Sequence, residues 1–154
     1  MTIDEKLQLT IYESCNIGII TEAEKKKLLD FIKKEKPDFL TAASKNDLSI
    51  FSKPFKKSDL NKKDPEKGYT ALHICAQDGN IDFAKKLIEA GATIDIKDKY
   101  GNTPLFNAVF NNKRNMITLL LGAGANPKIK NKKGVSPISL SKTVANFNVA
   151  DCFK

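Results

Sequence analysis

The chain has 154 residues, a length that suits one domain with a continuous core. No stretch approaches the run of about 18 apolar residues that a membrane-spanning helix needs, and the first residues lack the basic-then-apolar pattern of a signal peptide. Three widely spaced cysteines, Cys15, Cys75 and Cys152, include no C-x-x-C pair. These features predict a reduced, cytoplasmic protein without a membrane span.

The formal net charge is +8, and the excess lies in the last third of the chain. Residues 98–154 carry 9 basic and 2 acidic side chains, whereas residues 1–40 carry 7 and 8. A positive field of this kind favours an acidic partner and speeds its association. Arg114 is the only arginine, and nucleic-acid readers depend on arginine for bidentate contacts. Nucleic-acid association is therefore only a remote alternative.

The chain begins with an amphipathic helix. Its apolar stripe repeats every fourth residue, at Ile3, Leu7, Ile11 and Cys15. Gly18 then ends the helix, because glycine readily adopts the left-handed conformation at a helix terminus.

A second helix is predicted to begin at a capping box. In this box the Thr21 hydroxyl and the Glu24 carboxylate each accept a backbone N–H that has no partner inside the helix. Pro37 ends the helix near Lys36. Residues 1–36 are thus predicted to form a helical hairpin, either as a cap on the apolar end of the following residues or as a docking element for a partner.

Three similar segments follow at a fixed spacing. Gly68-Tyr-Thr-Ala-Leu72 returns as Gly101-Asn-Thr-Pro-Leu105 and as Gly134-Val-Ser-Pro-Ile138, in two steps of 33 residues. The pair Gly91-Ala92 returns as Gly124-Ala125 with the same step. A fixed period of this size indicates stacked repeats, in which no single unit can bury its apolar face alone.

Residues 70–76, Thr-Ala-Leu-His-Ile-Cys-Ala, resemble the T-P-L-H-x-A-A start of an ankyrin repeat. This resemblance implies an all-α ankyrin-repeat solenoid, with helix-turn-helix repeats and β-turn loop tips, preceded by the helical hairpin. The array then occupies residues 37–154. Its units are a degenerate repeat at 37–64, two regular repeats at 65–97 and 98–130, and a truncated closing repeat at 131–154.

The two irregular units carry apolar residues for second helices. In the degenerate repeat these residues are Leu48, Phe51 and Phe55, with Pro54 interrupting the helix or lying near its end. In the closing repeat they are Phe147, Ala150 and Phe153, and Lys142 is expected to face water.

The regular repeats have clear helix boundaries. Thr70 is expected to cap an inner helix over about 71–78, Gly79 to turn the chain, and an outer helix to begin near Ile81. In the next repeat Asn112 replaces the turn glycine, and asparagine is the next best residue for a left-handed turn. Phe106 replaces the histidine.

The sequence offers little for catalysis. His73 is the only histidine, and the resemblance implies that it pairs with Thr70 and ties adjacent loops together. One histidine and scattered cysteines cannot supply a four-ligand zinc site. Asp78, Asp82 and Asp95 have no nucleophile or oxyanion donor in register with them. We therefore expect no enzymatic activity, no cofactor and no metal.

The resemblance also implies a concave binding groove, formed by the loop tips and the exposed face of the inner helices. The residues expected there are Glu66, Lys67, Tyr69, Gln77, Asp78, Lys99, Tyr100, Asn102, Phe110, Asn111, Lys132 and Lys133. The aromatic side chains matter most, because aromatic anchors dominate interface energies. The alternative for Tyr100 and Phe110 is that they pack between repeats.

The sequence thus predicts a monomeric, non-enzymatic module that binds another protein, of acidic character, through its concave face. Two specific functions remain open. One is a general scaffold or adaptor. The other is an inhibitor or immunity-type protein that masks an enzyme or toxin.

Overall fold

A computed structural model describes residues 3–34, 38–143 and 149–153 of the chain. The chain divides into two compact units, residues 1–36 and residues 37–154. Regular secondary structure in the described ranges is helical throughout, as the all-α solenoid predicts. None of the helices in those ranges is long and apolar enough to cross a membrane.

The first unit consists of two helices, α1 at Ile3–Asn16 and α2 at Glu22–Lys34. Between them, Gly18 has a φ of 76°, in the left-handed region. The predicted capping box at the start of α2 is confirmed. The Thr21 backbone N–H donates to a Glu24 carboxylate oxygen at 2.8 Å, and the Glu24 N–H donates to the Thr21 hydroxyl at 3.2 Å.

The second unit is a stack of short helices in two rows. The helices are α3 at Phe39–Lys45, α4 at Lys57–Leu60, α5 at Ala71–Asp78, α6 at Ile81–Glu89, α7 at Pro104–Phe110, α8 at Arg114–Gly122 and α9 at Pro137–Thr143. Four inner helices pack side by side in chain order, namely α3, α5, α7 and α9. In the outer row, α6 packs on α5, and α8 packs on both α6 and α7.

The core runs continuously through this stack. Ala43, Ala76 and Leu120 are all fully buried, and they belong to three successive repeats. Small residues at the first two positions let neighbouring inner helices approach closely. Cys75 is fully buried as well, and burial raises the pKa of its thiol to about 12. This cysteine is therefore an inert core residue.

The turn after each inner helix follows the repeat. Asn46, Gly79 and Asn112, at steps of 33 residues, all have left-handed backbones, with φ values of 52°, 89° and 54°. The prediction that Asn112 substitutes for the turn glycine is confirmed. Asparagine tolerates this region better than other side chains, so the register survives without glycine.

The degenerate repeat differs from the prediction. In place of one continuous second helix there is a short 3₁₀ helix at Leu48–Ser52 followed by the single-turn helix α4, and Leu48 is exposed. Lys53 is extended, as a residue before proline must be, so Pro54 stops the helix instead of kinking it.

An aromatic cluster packs this irregular segment against its neighbours. Phe39 makes edge-to-face contacts with Phe51 and Phe55 at centroid distances of 5.3 and 5.2 Å. Phe51 also contacts Phe83 of the next repeat at 5.1 Å. Such pairs add about 0.5–1.5 kcal/mol each beyond area burial, so the cluster joins the two repeats without a continuous second helix.

The closing repeat ends in a 3₁₀ helix at Ala150–Phe153 that contacts α8 and α9. Val149 is buried, and Arg114 on α8 makes a bidentate ion pair with Asp151 at 3.1 and 2.8 Å. Lys142 is exposed as expected. Phe147, which was assigned to the second helix of this repeat, lies outside the described residues.

Candidate protein-binding face

The three loop tips, at residues 64–69, 98–102 and 131–135, are each built around one side-chain acceptor. Asp64, Asp98 and Asn131 hold their tips with an Oδ1 atom that accepts two or three backbone N–H groups. A backbone bond closes each tip, for example from Asn131 N–H to Val135 O at 2.9 Å. The first tip is one residue longer than the others, with four residues from Asp64 to its glycine, Gly68, instead of three.

Neighbouring tips are joined backbone to backbone. The Lys99 N–H donates to Lys67 O at 2.9 Å, and the Lys132 N–H donates to Tyr100 O at 3.0 Å. A Cβ on Gly68 or Gly101 would lie 3.0 Å from the backbone nitrogen of Lys99 or Lys132, respectively. Glycine is therefore required at both positions for the close approach, in addition to its positive φ.

The predicted pair of Thr70 and His73 is confirmed. Nδ1 of the fully buried His73 accepts the Thr70 backbone N–H at 3.2 Å and lies 2.9 Å from the Thr70 hydroxyl. Because Nδ1 is an acceptor, the proton is on Nε2, which donates to Asn102 O of the next tip at 3.1 Å. Burial lowers the pKa of His73, since desolvation penalises the imidazolium. This neutral histidine ties two repeats together.

Three of the predicted binding residues also hold the tips in place. Tyr69 is half-buried and stacks on His73, with ring centroids 5.4 Å apart. Asn102 accepts from His73 through its carbonyl, and its side chain bonds to Asp98 and Asn131. The Lys99 ammonium donates to Pro65 O. Tyr69 and Asn102 are therefore only partly exposed, whereas Lys99 is exposed although its ammonium group is hydrogen-bonded.

Tyr100 and Phe110 are the two exposed aromatic side chains of the described array, with 59% and 66% of their surface accessible. Packing between repeats therefore does not account for either one. Tyr100 is on a tip, and Phe110 is the last residue of α7. Phe110 lies seven positions after the capping residue Thr103, so Phe110 is about 10 Å from the tip end of α7 along the helix axis.

The other predicted residues lie either on the tips or at the C-terminal ends of the inner helices. The tips carry exposed Glu66, Lys67, Lys132 and Lys133. The C-terminal ends of the inner helices carry half-buried Gln77, exposed Asp78 and exposed Asn111, whose side-chain amide donates to Asn107 O at 2.8 Å. The tips thus carry lysines together with Glu66 and Tyr100, and the C-terminal ends of the inner helices carry Phe110 and the polar side chains.

Further lysines on the tip edge were not among the predicted site residues. Lys63 donates through Nζ to Lys97 O at 2.7 Å, and Lys97 donates in turn to Lys130 O at 3.5 Å. Lys128 and Lys130 are exposed beside the last tip. Their repeat-like spacing was the only sequence signal for them, because residue type does not show which ammonium groups bond to carbonyls.

The described residues contain no cluster of three or more histidine, cysteine or acidic side chains that could hold a metal. Asp95, one of the acids considered for catalysis, accepts the Asn126 backbone N–H at 3.1 Å and so ties two repeats.

Comparison with known proteins identifies the repeat. A family model described as ankyrin repeats in three copies matches residues 39–131. The chain is 43% identical to the mouse B-cell lymphoma 3 protein homolog over 72 residues, which cover 46% of this chain and 16% of that protein. It is 34% identical to human BCL-6 corepressor-like protein 1 over 85 residues, 55% of this chain and 5% of that protein.

A relative of similar character occurs in a bacterium. The chain is 36% identical over 77 residues to an ankyrin repeat-containing protein of Treponema pallidum, covering 50% of this chain and 26% of that protein. The match thus spans about a quarter or less of the length of each of these three relatives.

Proposed function

The chain belongs to the ankyrin-repeat family, and on this basis we propose that it is a non-enzymatic module that binds an acidic partner protein through its concave face. That face consists of the tips at 64–69, 98–102 and 131–135 and the exposed C-terminal ends of α5 and α7. Ankyrin repeats generally mediate protein–protein interaction, and the proposal adds the face and the chemistry of the partner.

The observation that carries the proposal is the exposure of Tyr100 and Phe110. Both rings sit on a stack whose other large apolar residues are mostly buried. Tyrosine is among the residues most enriched at interface hot spots, and phenylalanine is enriched at interfaces in general. Truncating a hot-spot side chain costs about 2 kcal/mol or more of binding free energy. Tyr100 lies on the tip that precedes α7 and Phe110 is the last residue of α7, so one extended partner segment can contact both.

Charge supports the acidic character of the partner. Lys132 and Lys133 lie on the tip next to Tyr100, and both side chains are exposed. Adjacent tips are about one Debye length apart at 0.1 M salt, so their charges act together on an approaching protein.

A comparative affinity purification tests the proposal. Wild-type protein and the double variant Tyr100→Ala, Phe110→Ala serve as baits, with Lys85→Ala, Thr118→Ala on the exposed outer helices as the matched control. We expect mass spectrometry to find an acidic protein that the wild type and the control enrich equally and the double variant loses. Equal enrichment by all three baits would contradict the use of this face.

The proposal includes a reducing compartment. Cys15, Cys75 and Cys152 are all free thiols in the structure, and unpaired cysteines are characteristic of intracellular proteins. We propose a cytoplasmic monomer. Light scattering of the purified protein tests the monomeric state directly.

A further inference from the structure

The backbone hydrogen bonds that join neighbouring tips form a series, and the next acceptor in that series would be the Lys133 carbonyl. Lys67 and Tyr100, 33 residues apart, each give a backbone carbonyl to an N–H of the next tip. One more step of 33 leads to Lys133. Within the described residues no backbone or side-chain donor reaches the Lys133 carbonyl. Among the described residues, the Lys133 carbonyl therefore holds the acceptor position of this series but receives no donor.

Gly134 marks the space that an occupant donating to this carbonyl would need. Gly68 and Gly101 are buried under the backbone of the following tip, which lies 3.0 Å from where their Cβ atoms would be. Gly134 has the same backbone conformation, with a φ of 77° against 72° and 80°, yet it is exposed. No described atom lies within 4 Å of its Cβ position. A backbone can approach here as closely as it does at the other two tips.

The charge around the Lys133 carbonyl is the most positive of the three tips. Residues 128–135 contain four lysines and no acid. The two earlier tip segments carry acids beside their lysines, Asp64 and Glu66 in one, Asp95 and Asp98 in the other. All four lysines of the last segment, Lys128, Lys130, Lys132 and Lys133, are exposed. The occupant must therefore be anionic.

We propose that the edge of the last tip binds an acidic segment of another polypeptide in extended conformation. A backbone N–H of that segment donates to the Lys133 carbonyl, its backbone passes over Gly134, and its carboxylates face the four lysines. The open carbonyl favours a peptide over single-stranded DNA, because a peptide backbone carries an N–H donor at every residue except proline, whereas the sugar–phosphate backbone of DNA offers acceptors only. This site shares the tip at 131–135 with the proposed concave face, but it binds at the edge of that tip and uses neither Tyr100 nor Phe110.

The test uses amide-resolved NMR titration of the full chain with an eight-residue peptide of alternating glutamate and serine. We expect the largest shifts at Lys132, Lys133 and Gly134. The key variant is Gly134→Asn, because asparagine accepts the left-handed backbone while its Cβ blocks the approach. Gly124→Asn is the matched control, since Gly124 also has a positive φ and an empty Cβ position but lies outside the tip.

The proposal predicts that Gly134→Asn weakens the peptide at least tenfold and that Gly124→Asn leaves its affinity within twofold. On the wild-type protein, N-methylating the peptide backbone should weaken binding by a similar factor, which tests the hydrogen bond without altering the fold. Two results overturn the proposal. One is equal binding of the N-methylated peptide. The other is binding of oligothymidylate at the same amides with an affinity equal to or above that of the peptide, which would show a site that reads charge alone.

Discussion

His73 Nε2 lies 3.1 Å from the carbonyl oxygen of Asn102, and this contact joins the inner helix of one repeat to the tip of the next. The same ring accepts from Thr70 on its other side, so both nitrogens are used only when the histidine is neutral. A second proton on Nδ1 would oppose the Thr70 N–H inside a buried site.

Stability should therefore fall when the pH drops below 6.5. The unfolded chain protonates its one histidine around this ordinary pKa, whereas burial lowers the pKa of His73 in the folded state. The unfolded state then binds the extra proton, at a cost of up to about 1.4 kcal/mol per pH unit. Urea unfolding should show a lower stability at pH 5.5 than at pH 7.5, with a loss of at most about 1.4 kcal/mol across this window. The range from pH 5.5 to 7.5 lies above the ordinary pKa values of carboxylates, so the expected change reports mainly on the histidine.

The control is His73→Gln, which removes the titrating group. Its unfolding free energy is expected to be lower overall but to change little between pH 7.5 and 5.5. A wild-type protein whose stability is flat across this window would contradict the neutral, two-sided role of the histidine.

Gly101 and Gly134 should respond differently to the same substitution. Both have positive φ values, 80° and 77°, so alanine strains the two backbones about equally, by about 1 kcal/mol. Alanine at Gly101 additionally meets the Lys132 nitrogen at 3.0 Å, whereas Gly134 is open. We expect Gly101→Ala to cost at least about 1 kcal/mol more in thermal or urea unfolding. Equal losses would mean that the contact between tips contributes nothing.

The segment at 149–153 should be held more by Val149 than by its ion pair. Val149 is almost fully buried, and truncating it to alanine removes two methyl groups and leaves a cavity, a loss of about 2 kcal/mol. Arg114 and Asp151 are partly exposed, and such pairs contribute less than about 1 kcal/mol. Unfolding of Val149→Ala and Asp151→Asn compares them, and a larger loss for Asp151→Asn would reverse this ranking.

Much of the fold follows from the sequence, because the repeat fixes local conformation. The helix at Ala71–Asp78, the start of the next at Ile81 and the left-handed Asn112 all lie where the spacing and residue types predict them. The 3₁₀ helix at Leu48–Ser52 was missed. Apolar spacing there fits a helix, but Pro54 and the packing of three phenylalanine rings decide the conformation.

The candidate face was less predictable. Tyr69 and Tyr100 occupy neighbouring tips, yet Tyr69 stacks on His73 while Tyr100 is exposed. The two rings hold different positions in the repeat, after Gly68 and before Gly101, and only Tyr69 lies against His73, a contact that residue type alone does not predict. The Lys99 ammonium likewise donates to Pro65 O of the neighbouring tip, a contact that residue type does not predict. Side-chain contacts across repeats therefore had to come from the structure.

The lysines should control how fast a partner associates. Changing Lys132 and Lys133 together to glutamate reverses the charge of the last tip, so an acidic partner should associate at least tenfold more slowly at low salt. Stopped-flow or surface-based kinetics at 0.05 and 0.5 M salt measures this, and the wild-type rate should fall with salt. Lys99→Glu is made separately, because Lys99 also bonds within the tips. Unchanged rates would place the partner on another surface.

The dissociation rate of the partner complex tests the central claim most directly. Once affinity purification has supplied the partner, its release is timed from the wild type, from Phe110→Ala and from the outer-helix control Thr118→Ala. Loss of a buried aromatic anchor costs about 2 kcal/mol and mainly affects release. We predict that Phe110→Ala dissociates at least tenfold faster than the wild type and that Thr118→Ala does not. A wild-type dissociation rate for Phe110→Ala would contradict binding through the concave face, and faster release from Thr118→Ala would place the partner on the outer helices.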